Sequence, residues 1–351
     1  MSVSIQQKLA IAFSERKRRY FLQQRYPNKF TSAGLYATHA HLFEALEWLC
    51  KAQDKSPAAG ALYSSYLITG GWQTPTIIST AFSLPAFQKA GSYLKRDDLL
   101  QRSENAGEWV QKQTIDNIDD IEADSLAHAI LAINHIKSTN PDCEKNIAKL
   151  GYGLSKKLEG IDSSSIPQSL TPYSLICLAL ARADQPVGTK LLKKCQNVDS
   201  LFNISEKCLA LLAWTDLAIT LNLDSDLEQI QKHVEKLMLT FERTKWLAEK
   251  PKQNTSDQYC NISGACSLSI LLFSFADLAN DPRYLNAAFK LNEYLKNAHF
   301  DAYVPKTEYG AMRDNDPLHL RKYGGRYSTH TTRLYIDALL AEERYFHRDQ
   351  Q

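Results

Sequence analysis

Two stretches, Ala45-Leu-Glu-Trp48-Leu-Cys-Lys51-Ala-Gln53 and Ala106-Gly-Glu-Trp109-Val-Gln-Lys112-Gln113, carry Ala, Glu, Trp and Lys in one shared register. A third, Asp281-Pro-Arg-Tyr-Leu-Asn-Ala-Ala-Phe-Lys-Leu-Asn-Glu-Tyr294-Leu, echoes them more distantly, with Tyr at the Trp position. Recurrence of one helical unit along a chain is the mark of a solenoid, or of a solenoid closed into a ring. Working outward, apolar residues at helical spacing, broken by Pro, Gly, Asn and Asp clusters, predict helices over 37–53, 76–90, 97–113, 121–138, 142–158 and 168–183. The series continues over 187–195, 204–220, 225–247, 262–279, 282–298 and 329–346.

No alternating run competes as a strand, so the class is all-α. Twelve helices with short connections suggest six antiparallel hairpins. Residues 126–136, 175–181, 209–217 and 268–278 are apolar on most sides, which is the composition of helices buried on two faces. The Trp48 and Trp109 helices, with their Lys and Glu, would form an outer layer. The expectation is a single α/α toroid over 36–351, an (α/α)6 barrel of six hairpins, preceded by an N-terminal helical extension over 1–35.

The charge balance of 41 basic and 39 acidic residues gives no reason to expect nucleic acid as a partner. Seven cysteines without a C-x-x-C fit reduced thiols in a cytoplasmic protein better than a disulfide framework. No window reaches the length of a membrane span, and the apolar run Leu9–Phe13 precedes the basic run Glu15-Arg-Lys-Arg-Arg19, the reverse of a signal peptide. That basic helix is either a solvated surface or a contact with an anionic membrane or a biosynthetic complex. Cys260 and Cys266 have no neighbouring histidine, and His39 and His41, two apart, face different ways, so neither a metal nor any other cofactor is expected. Phosphate-loop, dinucleotide, nucleophile-elbow and zinc-protease motifs are not found.

Four segments carry a resemblance: Glu44–Gln53, Gly70-Gly-Trp72-Gln-Thr-Pro75, Asn261-Ile-Ser-Gly-Ala-Cys-Ser267 and Asp281-Pro-Arg-Tyr-Leu. Together they resemble a family of α/α-toroid proteins from bacterial exopolysaccharide and capsule gene clusters, whose members are labelled prenyltransferase-like or six-hairpin-glycosidase-like. The resemblance implies a polysaccharide or lipid-linked oligosaccharide as partner. It also shows two departures. The family's Pro-Glu-Thr-Thr-Gly-Tyr falls on Ile77–Phe82, which puts Ile78 in place of the glutamate. Its Leu-Thr-Gly-(Asn/Ser)-Ala-Gln falls on Ile262–Ser267, which replaces the glutamine with Ser267.

A toroid has a natural site at the end where loops run from outer to inner helices. Tyr63, Tyr66 and Trp72 lie in one such loop, and flat aromatic faces with polar edges suit a sugar, although Trp72 could equally pack the loop down as cover. A second loop holds Glu308, Tyr309, Arg313, Arg326, Tyr327, His330 and Arg333. The arginines are candidate clamps for carboxylate or phosphate, and Glu308 and His330 are candidate acid–base groups. The two loops are expected to form opposite walls of one cleft. A glycosidase needs two carboxylates, for which Asp257 joins Glu308; a uronate epimerase or lyase would instead move protons through Tyr259, Tyr309, Tyr327 or His330, with Arg326 to neutralise the uronate of an anionic glycan. A glycan-binding or scaffold protein without catalysis is the competing reading, and internal pairing of the loop's Arg and Glu is the plainer account of any one of them.

Overall fold

The computed structural model describes residues 38–137, 142–159, 173–201, 203–244, 247–249, 259–299, 309–316 and 325–348. The N-terminal helix expected over 1–35, and the loop positions Asp257 and Glu308, lie outside them. Within them run twelve α-helices, each on one of the expected segments. They are α1 (Thr38–Asp54), α2 (Ile77–Leu94), α3 (Asp97–Ile115), α4 (Ala123–Ile136), α5 (Asp142–Glu159) and α6 (Tyr173–Arg182). They continue as α7 (Thr189–Cys195), α8 (Ile204–Leu221), α9 (Asp224–Thr244), α10 (Ile262–Ala279), α11 (Pro282–Ala298) and α12 (Thr329–Arg348). Five short strands were not expected: β1 (Tyr63–Leu67), β2 (Gly71–Pro75), β3 (Cys260–Asn261), β4 (Asn315–Asp316) and β5 (Arg326–Ser328).

Internal contacts divide the chain into two compact units. One takes the described residues up to Ala52, Tyr63–Thr74 and everything from Leu237 onward; the other takes Gln53–Leu62 and Pro75–Lys236. In the second unit α2, α4, α6 and α8 pack in series, each on the next, while α3, α5 and α7 back them. In the first, α12 packs on α10, and α11 backs both. The apolar-all-round helices α2, α4, α6, α8 and α10 are thus the inner row, backed by amphipathic ones, while α12 takes an inner place despite its charged residues. Helix α10 is long and apolar enough to cross a membrane, against the expectation from sequence. Its buried run of Ile262, Ala265, Cys266, Leu268, Leu271, Leu272, Phe273 and Phe275 makes it a core helix of its unit.

The two kinds of connection differ. Inner helices pass to outer ones through tight turns, and four of these turns hold a non-glycine residue in the left-handed region: Lys95, Asp184, Asn222 and Asn280. There a backbone N–H turns back to satisfy helix-end carbonyls, as Lys95 does to Gly91 and Asn222 to Ala218. Outer helices pass to inner ones through the long segments that hold every described strand.

One device recurs in both units. Gly60-Ala61-Leu62 and Gly310-Ala311-Met312 each present a glycine with φ of +84° and +83°, respectively, against an outer helix. A Cβ on Gly60 would collide with the Asn105 carbonyl and meet Trp109 Cβ; a Cβ on Gly310 would collide with the Glu44 carbonyl and meet Trp48 Cβ. The next two residues are fully buried in both copies. The amide of Leu62 then donates to Thr80 Oγ1 at 3.0 Å, and that of Met312 to Thr332 Oγ1 at 3.2 Å. Each threonine sits in the first turn of the following inner helix, one turn past a hydroxyl N-cap, Thr76 or Ser328. The Trp48–Trp109 repeat seen in sequence thus extends to the loop that docks on each Trp helix.

Candidate functional site

The candidate site lies in the first unit, at the head of α12. Strand β1 lies between β2 and β5, and the β1–β5 pairing is antiparallel, with Tyr66 opposite Tyr327 and Leu67 opposite Arg326. The Trp72 hairpin and the Arg326 strand are therefore neighbours in one sheet, not opposite walls of a cleft. The thread between them is a backbone ladder plus Thr329, whose hydroxyl donates to the Ser64 carbonyl at 3.0 Å.

Buried Asp314 organises the charged half. Its Oδ1 accepts from Ser328 Oγ at 2.5 Å and Thr331 Oγ1 at 2.6 Å, and its Oδ2 pairs with Arg326 Nε at 2.9 Å. Ser328 Oγ in turn accepts from the Thr331 amide and caps α12. One turn on, Arg333 pairs with Asp337 at 2.7 Å, with both side chains almost wholly enclosed. Arg313, also buried, donates from Nε to the Ala298 carbonyl at 2.8 Å. The arginines are held internally, as the plainer account had it, but by Asp314, Asp337 and a backbone carbonyl in place of the loop's Glu, and of the three only Arg326 keeps substantial exposure, 38% of its side chain. Half-buried His330 sits among them. Burial, then the positive charges of Arg333 and Arg326, push its pKa down to about 3.

The aromatic half is a packed cluster. Trp72 stacks on Tyr63 at 5.3 Å between centroids, meets Tyr66 edge-on at 5.3 Å and Trp48 at 5.5 Å. Trp48 is fully buried, so Trp72 fastens the β1–β2 hairpin onto α1, and the cover role fits it. Tyr63, Tyr66 and Trp72 all remain half-buried, so their outward edges stay on the surface.

Of the other expected residues, Tyr309 gives its hydroxyl to Glu44 at 2.9 Å beneath the ammonium of Lys51, 5.2 Å from the ring centre, so it is occupied on α1. Tyr327 is fully buried under the sheet. Tyr259 is half-buried, and its carbonyl accepts from the Glu249 amide at 2.9 Å, close to the β3–β4 pair. Among the described residues no three His, Cys, Asp or Glu side chains converge as a metal site requires.

Sequence reasoning missed Asp314 and Asp337 as partners, and it missed a buried histidine pair. His41 and His299 bring their Nδ1 atoms to 2.8 Å, and His299 Nε2 lies 2.9 Å from the Gly310 carbonyl. A carbonyl only accepts, so His299 carries its hydrogen on Nε2 and His41 donates from Nδ1. The Arg333–Asp337 pair had a sequence signal, the i, i+4 spacing; the histidine pair, 258 residues apart, had none.

No protein-family model matches the sequence, and no curated protein matches it. Solved structures do resemble it. An unsaturated glucuronyl hydrolase specific for heparin superposes with a TM-score of 0.70 at 10% identity, over 90% of this chain and 98% of its own. The cellobiose 2-epimerase from Bacillus thermoamylovorans B4167 gives 0.62 at 11%, over 88% and 98%. A D-mannose isomerase gives 0.63 at 12%, over 90% and 99%. Identities this low carry the fold and not the chemistry. The chain has the all-α toroid fold that these six-hairpin-glycosidase-like enzymes share.

Proposed function

We propose that this chain is a carbohydrate-active protein, one toroid domain over 36–351, that binds an anionic, uronate-bearing glycan at the head of α12. The fold supports the substrate class, since full-length neighbours act on sugars by more than one type of reaction. The observation that carries the anionic preference is His330, held neutral with a pKa of about 3 by burial and the charges of Arg333 and Arg326. A carboxylate arriving beside them would offset that positive field. It would raise the proton affinity of His330 by removing the smaller, electrostatic part of the shift, burial being the larger. Arg326, the most exposed of the three, is the natural first contact, with the edges of Tyr63, Tyr66 and Trp72 as the adjacent apolar surface.

Reaction by hydrolysis would enlist Glu308 and Asp257; epimerisation or elimination would use Tyr259 or His330. Tyr309, Arg313, Tyr327 and Arg333 then act by holding this framework. The sequence resemblance supports a place in exopolysaccharide or capsule production in the cytoplasm, on a polysaccharide or lipid-linked oligosaccharide, with the basic N-terminal helix meeting the membrane or the assembly. A non-catalytic glycan-binding role is the second reading. It is favoured by Ile78, which holds the second position of α2 where the resemblance puts a glutamate.

Calorimetric titration with a glucuronate-terminated oligosaccharide and with its carboxyl-reduced, neutral twin tests the proposal, together with product analysis. The charged form should bind more tightly, and Arg326→Gln should erase the difference. Equal affinity for the two forms overturns the anionic reading. Binding without turnover, unchanged in Glu308→Gln, selects the second role.

A further inference from the structure

The repeated glycine loop leaves the two units with unequal furniture. In the first unit the residue before the docked glycine is Tyr309, whose ring lies over α1 between Glu44 and Lys51. In the second unit the same position is Ala59, and the matching residues of α3 are Asn105 and Lys112. Where the ring would be, the surface is an open cleft of about 520 Å³, within the range of small-ligand sites, lined by Ala58, Ala59, Gly60 and one face of α3. That face presents Asn105, Glu108, Trp109, Lys112 and Gln113.

The contents of the cleft point to a ligand. Trp109 is half-buried, where its counterpart Trp48 is fully covered by the aromatic hairpin. Among the described residues, the Trp109 indole N–H, the Glu108 carboxylate and the Lys112 ammonium have no hydrogen-bond or ion-pair partner, although Glu108 and Lys112 stand four apart on one helix face. Asn105 is engaged by Gln101 through its oxygen at 3.1 Å, which leaves its amide hydrogens directed elsewhere. The niche therefore has one flat apolar wall and a rim of donors and acceptors of both signs.

We propose that this cleft is a second, peripheral binding site for a pyranose ring of a glycan, taking the place that Tyr309 fills in the other unit. A phenol would use one hydrogen bond and leave most of the rim unanswered. A pyranose offers a face of C–H groups to the Trp109 wall and hydroxyls around its whole edge to Asn105, Glu108, Lys112 and Gln113. The site is carried by α3 and its docked loop. Its occupancy is independent of the proposal for the head of α12.

The test exploits the repeat. Ala59→Tyr puts back the ring that Tyr309 supplies in the other unit, at an exposed position, so it fills the niche from within. The probes are cellotetraose, as a neutral pyranose chain, and N-acetyltyrosinamide, as a phenol, each followed through the Trp109 indole N–H resonance assigned with Trp109→Phe. Cellotetraose should shift that resonance in the unmodified protein. Ala59→Tyr should weaken its binding by about tenfold or more, or ~1.4 kcal/mol, and leave the melting temperature of the unliganded protein unchanged. No shift with cellotetraose, or a shift that persists in Ala59→Tyr, overturns the proposal. So does a shift produced by N-acetyltyrosinamide alone, which would make the niche a seat for a partner's tyrosine.

Discussion

His41 shows how much a single buried ring can ask of the pH. Its partner His299 leaves it no use for a second proton, and burial, then the fields of His299 and Lys296, lower its pKa from 6.5 to about 2. Unfolding restores the ordinary value, so between pH 6.5 and 2 the unfolded chain binds the proton that the native chain refuses, and stability falls as pH falls. Each unit of pH below 6.5 removes roughly 1.4 kcal/mol through this one group, or about 2 kcal/mol by pH 5. His330, lowered to about 3, acts with the same sign. Urea midpoints should therefore drop between pH 7 and pH 5, and His41→Gln, although less stable at pH 7, should show a flatter dependence. A midpoint indifferent to pH over that window, or an equal slope in the variant, would contradict the role given to the pair.

At the scale of elements, the docked glycines and the aromatic hairpin make separate claims. Gly60→Ala and Gly310→Ala each drive a methyl into a helix carbonyl from a left-handed backbone, and each should cost about 3 kcal/mol by the sum of strain and collision. Gly71 is the internal control: its φ is also positive, at +66°, but no atom lies within 4 Å of a Cβ there. Gly71→Ala should lose only about 1 kcal/mol, and comparable melting shifts in all three would remove the docking argument. Trp72→Ala should cost about 2 kcal/mol, less than a full core truncation, and remove the near-ultraviolet dichroism of the cluster.

The helices were legible because each is a long segment bounded by Pro, Gly, Asn or Asp, the outer ones with a 3.6-residue apolar period and most inner ones apolar nearly throughout. The strands were not, because β1 and β2 are five residues long and β5 three, and β1 takes one of its two partners from far along the chain. Gly60-Ala-Leu and Gly310-Ala-Met are similar in sequence, but they gain meaning only once both are seen against a Trp helix. Of the candidate site, Arg326 and His330 were legible as residue types. Their pairing through Asp314 was not, since a buried carboxylate in a loop has no periodicity to announce it.

For the molecule as a whole, ligand linkage gives the widest test. A glycan that binds only the native state stabilises it by about 2.7 kcal/mol at a hundredfold excess over its dissociation constant. Melting curves should rise further with a uronate oligosaccharide than with its carboxyl-reduced form, and in Ala59→Tyr only the charged form should raise them. An equal rise with both, lost in Ala59→Tyr, would assign the effect to the Trp109 niche instead.

The antiparallel pairing of Tyr66 with Tyr327 also has a consequence in time. Tyr327 follows Tyr66 by about 260 residues, so on the ribosome the first hairpin must wait for that whole length before its sheet neighbour emerges. The unit made of 53–62 and 75–236 is contiguous enough to close meanwhile. A chain stopped at residue 245 should protect α2–α8 from protease while leaving the Trp72 hairpin open to cleavage. During translation in the cell, that waiting aromatic surface is the segment a nascent-chain chaperone would have to hold.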